Sequence, residues 1–151
     1  MHSLYENSII GHTKDNKTIV LVSGRDLSTI CNQDFDGMLG LMLGYYSLDY
    51  LARIDNSYNY LLLLDVNGKI IGQRSFIISS SLQYRALSVS IAKPYRNKGY
   101  GNELLHCYFG VLSSRGVTVS SISNYSEDGE LYLKHHLPTF EKQYNMKIVV
   151  S

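Results

Sequence analysis

Two glycines one residue apart follow a basic pair in the stretch K-P-Y-R-N-K-G-Y-G-N, residues 93–102. Gly99 and Gly101 have no Cβ, so a ligand can approach the backbone closely at these positions. Apolar residues at helical spacing follow the stretch, and the free N–H groups at a helix N-terminus attract anions. Arg96 and Lys98 add full positive charges. The stretch therefore predicts a site for a phosphate-bearing ligand.

Two common nucleotide-binding patterns do not fit this stretch. The dinucleotide pattern G-x-G-x-x-G fails because Leu104 occupies the place of the third glycine. The Walker pattern fails because no Lys-Ser or Lys-Thr pair follows the turn. The glycine turn must belong to another kind of site.

Alternating and β-branched apolar runs predict the strands of the fold, and 3.6-residue periodicity predicts its helices. Asn67-Gly68 lies between two apolar runs, which predicts a hairpin with a type I′ turn. The strand, helix and strand that include the glycine turn form a unit with a parallel pairing. The predicted strands are Lys17–Ser23, Tyr60–Val66, Lys69–Ser79, Tyr84–Ala92, Val117–Ser123 and Met146–Val150; the predicted helices are two short ones between Leu27 and Ile54, then Gly101–Ser114 and Ser126–His136.

The bulk composition is that of an ordinary globular protein. The chain has 151 residues, 44% of them hydrophobic and 18% charged, and we expect one domain over residues 1–151. The net charge is +1 and the cations are scattered, which disfavours a nucleic-acid partner. The N-terminal residues show neither a signal-peptide pattern nor a myristoylation glycine, and the apolar stretch 38–54 is too interrupted to span a membrane. We therefore expect a cytoplasmic protein.

Taken with the order of elements, the pattern R-x-x-G-x-G at Arg96–Gly101 resembles the GNAT superfamily of N-acetyltransferases. The resemblance extends over nearly the whole chain, from the hairpin Asp65–Gly72 to the segment S-I-S-N-Y-S-E-D-G-E-L-Y-L-K at residues 121–134. It implies an α/β fold of the α+β type, with a mixed, mainly antiparallel sheet flanked by helices. A splayed parallel strand pair then forms the acyl-CoA cleft.

The resemblance also implies a cofactor site and a reaction. The glycine turn would bind the pyrophosphate of acetyl-CoA, and exposed backbone of the fourth strand would bind the pantetheine arm. Tyr132 would act as general acid to the departing CoA thiolate. Asn124 lies one residue farther from this tyrosine than in the family. The implied cofactor-binding residues are Val89, Ser90, Ile91, Arg96, Asn97, Lys98, Gly99, Tyr100, Gly101, Asn102 and Asn124.

Two functional classes remain open. One is an N-acetyltransferase that moves acetyl from acetyl-CoA to a primary amine on a small molecule or a protein, releasing CoA. The other is a catalytically silent relative that binds CoA or a protein partner, because Ser88 and Ser90 occur where the family often has a glutamate and no general base can be named. Family members often dimerise through their C-terminal strands, so a homodimer is compatible with either class.

Other polar and aromatic clusters have simpler interpretations. His135 and His136 have no third ligand nearby, so we expect no metal site and interpret them as a solvated helix end. His106 could line the helix that follows the glycine turn, but a histidine at the surface or at the boundary of the core is the simpler interpretation. A group of tyrosines near three aspartates would suit a cationic amine, although core packing explains most of the group. Its members are Tyr45, Tyr46, Tyr50, Tyr58, Tyr60, Asp34, Asp36 and Asp49.

Overall fold

The structure is a computed structural model and describes residues 9–23, 58–78, 84–122 and 127–150. The two short helices predicted between Leu27 and Ile54 lie outside these ranges. The described strands are β1 (Ile9–His12), β2 (Thr18–Ser23), β3 (Tyr58–Leu64), β4 (Ile70–Ile78), β5 (Tyr84–Ile91), β6 (Val119–Ile122) and β7 (Lys147–Val150). The described helices are α1 (Tyr100–Ser114) and α2 (Glu127–Tyr144), and a single 3₁₀ turn spans Lys93–Tyr95.

The strands form one sheet whose spatial order follows the chain from β1 to β7. Neighbours from β1 to β5 are antiparallel, whereas β5, β6 and β7 are parallel to one another. Parallel neighbours need a crossover, and α1 and α2 supply the two crossovers. The predicted fold class, a mixed and mainly antiparallel sheet with helices, is confirmed.

Both helices pack into one hydrophobic cluster on the sheet. Leu61 and Leu63 of β3 contribute to this cluster, as do Leu104 of α1 and Phe140 of α2. The rings of Phe109 and Phe140 lie 5.1 Å apart and join the two helices directly. Both helices follow parallel strands, so their N-terminal turns lie near the same edge of the sheet.

The hairpin at Asn67-Gly68 is confirmed, but the predicted type I′ turn is wrong. Gly68 has a φ of 81°, whereas Asn67 is not among the described residues with a positive φ. The N–H of Gly68 donates to the carbonyl of Asp65 at 3.0 Å, which gives a type I turn followed by a left-handed glycine. The Asp65 carboxylate accepts hydrogen bonds from the N–H groups of Asn67 and Lys69, both at 2.9 Å, and so stabilises this turn.

Two elements differ from the sequence prediction. β1 precedes the predicted first strand and pairs with it as an edge strand. The helix predicted to end at His136 continues through Pro138 to Tyr144. The side chain of Phe140 is only 1% exposed, so burial of this residue accompanies the extra turns. The histidines at 135 and 136 are therefore not at a helix end. Neither described helix is both long and apolar enough to cross a membrane.

Candidate functional site

The glycine turn connects β5 to α1 through two left-handed residues. Asn97 has a φ of 64° and Gly99 a φ of 84°, conformations that asparagine and glycine tolerate best. Before them, Pro94 lies in the 3₁₀ turn and limits the backbone. Arg96 Nε donates a 2.8 Å hydrogen bond to the Ile91 carbonyl, which fastens the turn to the end of β5.

This turn presents an open helix N-terminus. Gly99 is the N-cap of α1, and no side chain caps the helix. The N–H of Glu103 makes the first helical bond, to the Gly99 carbonyl at 3.1 Å, so the N–H groups just before it have no acceptor within the helix. A Cβ built on Gly99 or on Gly101 would meet no atom within 4 Å. A phosphate therefore has room to approach these N–H groups.

Side chains of the turn divide into exposed and buried groups. Arg96, Asn97 and Lys98 are exposed, and Lys98 Nζ lies 6.0 Å from the centre of the Tyr95 ring. The side chain of Tyr100, in contrast, is only 4% exposed and points away from the opening. Its contribution to a ligand site is therefore restricted to its backbone, whereas the two cations are exposed at the surface of the turn.

Tyr100 fastens the start of α1 to the turn between β1 and β2. Its hydroxyl donates a short hydrogen bond to the carboxylate of Asp15. This bond raises the pKa of Tyr100 to about 12, and hydrogen bonds from Thr13 and Tyr100 lower the pKa of Asp15 to about 2. The Lys14 N–H adds a 2.8 Å bond to the Glu103 carboxylate. The helix N-terminus is thus held in place before any ligand arrives.

Close to the turn, β5 carries a bulge. Its described pairing with β6 runs from Tyr84 to Ala86 and stops at Ile122, where the described part of β6 ends. Immediately beyond, three steps along β5 from Ala86 to Val89 match two steps along β4, which places a bulge at residues 87 and 88. A bulge bends its strand. The splay predicted for the parallel pair depends on residues 123–126, which lie outside the described ranges.

The three residues predicted to bind pantetheine lie just past this bulge. Val89, Ser90 and Ile91 pair with Arg74, Gln73 and Gly72 of β4 on one side. On the other side, the residues that would continue β6 past Ile122 lie outside the described ranges. The Ser90 hydroxyl accepts a 3.2 Å hydrogen bond from the Gln73 amide. Residues 89–91 thus lie at the end of β5, directly before the glycine turn.

Tyr132 lies in the N-terminal half of α2 and faces α1. Its hydroxyl lies 3.4 Å from His106 Nε2, and His106 Nδ1 lies 3.1 Å from the Tyr144 hydroxyl. The Tyr132 ring also packs on His136, with ring centres 4.4 Å apart. Burial lowers the pKa of His106, and His136 and Lys14 lower it further. His106 is thus neutral at pH 7 and links two tyrosine hydroxyls.

Sequence reasoning missed two parts of this region. His106 was interpreted as a surface or boundary residue, because its contact with Tyr132 joins two helices and cannot be read from the sequence. Arg74 was not singled out, although an arginine within an apolar strand was a signal that could have been used. Of the other predicted residues, Asn124 lies outside the described ranges, as do Tyr45, Tyr46, Tyr50, Asp34, Asp36 and Asp49.

A separate cavity of about 730 Å³ lies on the flank of α1 that faces β1. Ile10 and Lys14 line it from the β1 side, and Cys107 and Val111 line it from α1. None of its lining residues belongs to the glycine turn or to β5. Burial raises the pKa of the Cys107 thiol, so this cysteine is a weak nucleophile. In the described parts of the chain, no group of three His, Cys, Asp or Glu side chains could hold a metal ion.

No protein-family model matches the sequence, and no curated protein matches it significantly. Solved structures do match its fold. A GNAT family acetyltransferase from Staphylococcus aureus matches with a TM-score of 0.56 and 20% identity over 74% of this chain and 90% of that chain. The ribosomal-protein-S18-alanine N-acetyltransferase from Escherichia coli matches with a TM-score of 0.58 and 19% identity over 80% of this chain and 76% of that chain.

A third match is an aminoglycoside acetyltransferase from an uncultured soil metagenomic sample, with a TM-score of 0.54 and 14% identity over 82% of this chain and 90% of that chain. At these identities the likeness concerns the fold. It agrees with the mixed sheet and the helices described above. The protein has the fold of the GNAT N-acetyltransferases.

Proposed function

We propose that the protein is an acyltransferase that moves acetyl from acetyl-CoA to a primary amine. One observation supports this most strongly: the open N-terminus of α1 lies directly after the bulged strand β5. A pyrophosphate at Gly99 and Gly101 would then be continuous with a pantetheine arm along residues 89–91. Arg96 and Lys98 supply charge for the phosphates, and backbone N–H groups of residues 97–102 supply hydrogen bonds.

Each step of the transfer has a candidate group in this chain. The amine nitrogen attacks the thioester carbon, a C–N bond forms and the C–S bond breaks. Backbone N–H groups of the β5 edge would favour the negative charge that develops on the carbonyl oxygen. The Tyr132 hydroxyl would give its proton to the departing thiolate, while the new amide nitrogen loses a proton to water. Tyr132 would then regain its proton from solvent.

The acceptor is a primary amine on a small molecule or a protein. The names of the matching structures support this breadth, because one acts on an alanine of a ribosomal protein and another on aminoglycosides. We further propose a single catalytic domain over residues 1–151, acting in the cytoplasm with no nucleic-acid partner, and able to form a homodimer. Asn124, two residues after β6 in the sequence, would contact acetyl-CoA.

Cofactor binding is tested with a matched pair of glycine variants on one helix. Acetyl-CoA at about 100 times its Kd should stabilise the wild type by roughly 2.7 kcal/mol in thermal unfolding. Gly101→Glu should abolish this shift, because a carboxylate would occupy the phosphate position. Gly110→Ala should retain it, because its new methyl would only touch Tyr144 at 3.9 Å. An acetyl-CoA shift that survives in Gly101→Glu would contradict the site.

The role of Tyr132 is tested by removing one hydroxyl at a time from α2. With a reactive amine, Tyr132→Phe should lower kcat by about 10²-fold or more, in the range of general acid catalysis. Tyr144→Phe removes the other hydroxyl that contacts His106 and should leave kcat nearly unchanged. Equal effects of both changes would indicate a structural role. Acetyl-CoA binding with no turnover on any amine by the wild type would favour the catalytically silent alternative.

A further inference from the structure

The turn between β1 and β2 makes two hydrogen bonds to the first turn of α1. The Tyr100 hydroxyl donates to the Asp15 carboxylate. The Glu103 carboxylate accepts from the Lys14 N–H at 2.8 Å. These partners are 85 and 89 residues apart in the sequence. The start of α1 is therefore joined to the far end of the antiparallel part of the sheet, although the helix itself follows β5.

The β1–β2 turn is itself closed by several hydrogen bonds. Thr13 is buried, and its N–H donates to the Lys17 carbonyl at 2.9 Å. The Thr13 hydroxyl accepts from the Lys17 N–H at 2.9 Å and donates to the Asp15 carboxylate. Hydrogen bonds from Thr13 and Tyr100 lower the pKa of Asp15 to about 2, so this carboxylate is charged at neutral pH. A fixed and ionised carboxylate is a strong acceptor for a hydroxyl from another element.

The glycine turn has few side chains that could hold its backbone in one conformation. From Arg96 to Asn102 the one buried residue is Tyr100. A Cβ built on Gly99 or Gly101 would meet no atom within 4 Å. Glycine also has more backbone freedom to lose than any other residue. Tyr100 is therefore the side chain best placed to fix the N–H groups at the start of α1.

Charge alone predicts that Asp15 would disfavour an anionic ligand. Its carboxylate lies near the helix N-terminus at which the phosphates are proposed to bind, and like charges repel each other. Removing a carboxylate that is only a surface charge would thus tighten phosphate binding. Removing a carboxylate that fixes the N–H groups would weaken it, because a preorganised site loses less conformational entropy on binding. The direction of the change separates the two roles.

We propose that Asp15 is a positioning residue for acetyl-CoA, acting through the Tyr100 hydroxyl on the N–H groups at the start of α1. The β1–β2 turn then sets the fraction of molecules in which these N–H groups point at the phosphates. The apparent Kd rises as that fraction falls. This inference rests on the proposed function only for the identity of the ligand, because it concerns binding and not the transfer step.

Calorimetry with acetyl-CoA on the full chain tests this role, with urea unfolding measured in parallel. Tyr100→Phe removes the hydroxyl and keeps both the buried ring and the charge of Asp15. Asp15→Ala removes the acceptor and the charge, whereas Asp15→Asn removes the charge and retains an oxygen that can accept. Asp65→Asn is the matched control. Asp65 also accepts hydrogen bonds in a turn at this edge of the sheet, but the donors belong to its own turn.

We expect Tyr100→Phe and Asp15→Ala each to raise the Kd of acetyl-CoA by about 10-fold, the order of one hydrogen bond to a charged group. The double variant should bind about as weakly as Tyr100→Phe, because both changes remove the same bond. Asp15→Asn should bind better than Asp15→Ala, and Asp65→Asn should bind as the wild type does. In acetyl transfer, KM for acetyl-CoA should rise while kcat at saturation stays near that of the wild type.

Tighter binding by Asp15→Ala would overturn the proposal, since that is the result expected of a surface charge. So would wild-type affinity in Tyr100→Phe, or an equal loss of affinity in Asp65→Asn. Should Tyr100→Phe not fold, equal affinities of Asp15→Ala and Asp15→Asn would overturn it. Failure of the proposed function has a different signature, because the wild type itself would then not bind acetyl-CoA, and this inference would fall with it.

Discussion

At the scale of residues, polar groups near the glycine turn hold one another in place. His106 contacts two tyrosine hydroxyls from a second helix, and Tyr100 is fixed by Asp15. The Nε atom of Arg96 likewise donates to the Ile91 carbonyl, although this side chain is exposed. Much of the polar surface in this part of the protein is therefore already fixed by the fold.

The lowered pKa of His106 predicts a loss of stability on mild acidification. Below about pH 6.5, an unfolded chain protonates this histidine, whereas the folded chain does not until its lower pKa is reached. The free energy of unfolding should therefore fall as the pH drops through this window and level off below the folded pKa. Groups facing the ring are His136, Lys14, Glu103, Tyr132 and Tyr144.

Thermal unfolding between pH 5 and pH 8 measures this effect. His106→Gln should show a shallower decline of Tm with acidification than the wild type does. His12→Gln removes an exposed histidine at the end of β1 and serves as the control. An unchanged pH dependence in His106→Gln would mean that other groups account for the decline.

At the scale of elements, packing extends α2 through a residue that usually ends helices. Pro138 is exposed, whereas Phe140, two residues later, is buried between α1 and α2. The Phe140 ring lies 4.7 Å from that of His106 and 5.1 Å from that of Phe109. Burial of an aromatic side chain outweighs the cost of one proline within the helix.

Replacing Pro138 should therefore stabilise the protein. Pro138→Ala should raise the free energy of unfolding by about 1–3 kcal/mol, because proline in a helix interior costs up to about 3 kcal/mol relative to alanine. Phe140→Ala should lower it by about 3–5 kcal/mol. Urea unfolding measures both changes. A destabilised Pro138→Ala would show that the proline is needed for the path of α2.

The two glycines of the turn should respond differently to alanine. Gly99 has a φ of 84°, so Gly99→Ala should cost about 1–2 kcal/mol through backbone strain. Gly101 is within α1 and its Cβ position is open, so Gly101→Ala should be neutral or stabilise by up to about 1 kcal/mol. Both changes should weaken binding of acetyl-CoA, because each methyl points into the proposed phosphate site.

Urea unfolding and calorimetry with acetyl-CoA separate these effects. The informative variant is Gly101→Ala, which should combine unchanged stability with reduced affinity. Retention of wild-type affinity in this variant would place the phosphates elsewhere.

At the scale of the whole molecule, β5 is the strand at which the sheet changes from antiparallel to parallel pairing. It pairs with β4 up to Ile91, and its described pairing with β6 runs from Tyr84 to Ala86. Acetyl-CoA bound as proposed should slow hydrogen exchange in peptides covering residues 87–102, because it would cover the end of β5 and the glycine turn. Peptides from β2 and β3, which lie in the antiparallel part, should exchange as before.

Mass-spectrometric exchange with and without acetyl-CoA makes this comparison, with the Gly101→Glu variant as control. Protection spread evenly over all strands would indicate general stabilisation instead of a ligand bound beside β5 and the glycine turn. No protection at residues 87–102 would contradict the proposed binding mode.

Through the resemblance of its element order to a known family, the sequence indicated the mixed fold class. By itself it determined the hairpin at Asn67-Gly68 and the strand–helix–strand unit around Gly99 and Gly101. These features depend on short-range patterns: turn residues, period-2 and 3.6-residue apolar spacing, and glycine at a strand-to-helix junction. Their signals are complete within a few residues, so they can be read without knowing the rest of the chain.

Only the tertiary structure decided the remaining features. β1 is too short to be recognised until it pairs with β2, and α2 passes Pro138 because Phe140 finds a buried place between the helices. The turn at Asn67 was settled by the hydrogen bonds of Asp65. Likewise, Asp15 and His106 acquire their contacts from residues distant in the chain. Burial and long-range contacts depend on the whole fold, and no local pattern contains them.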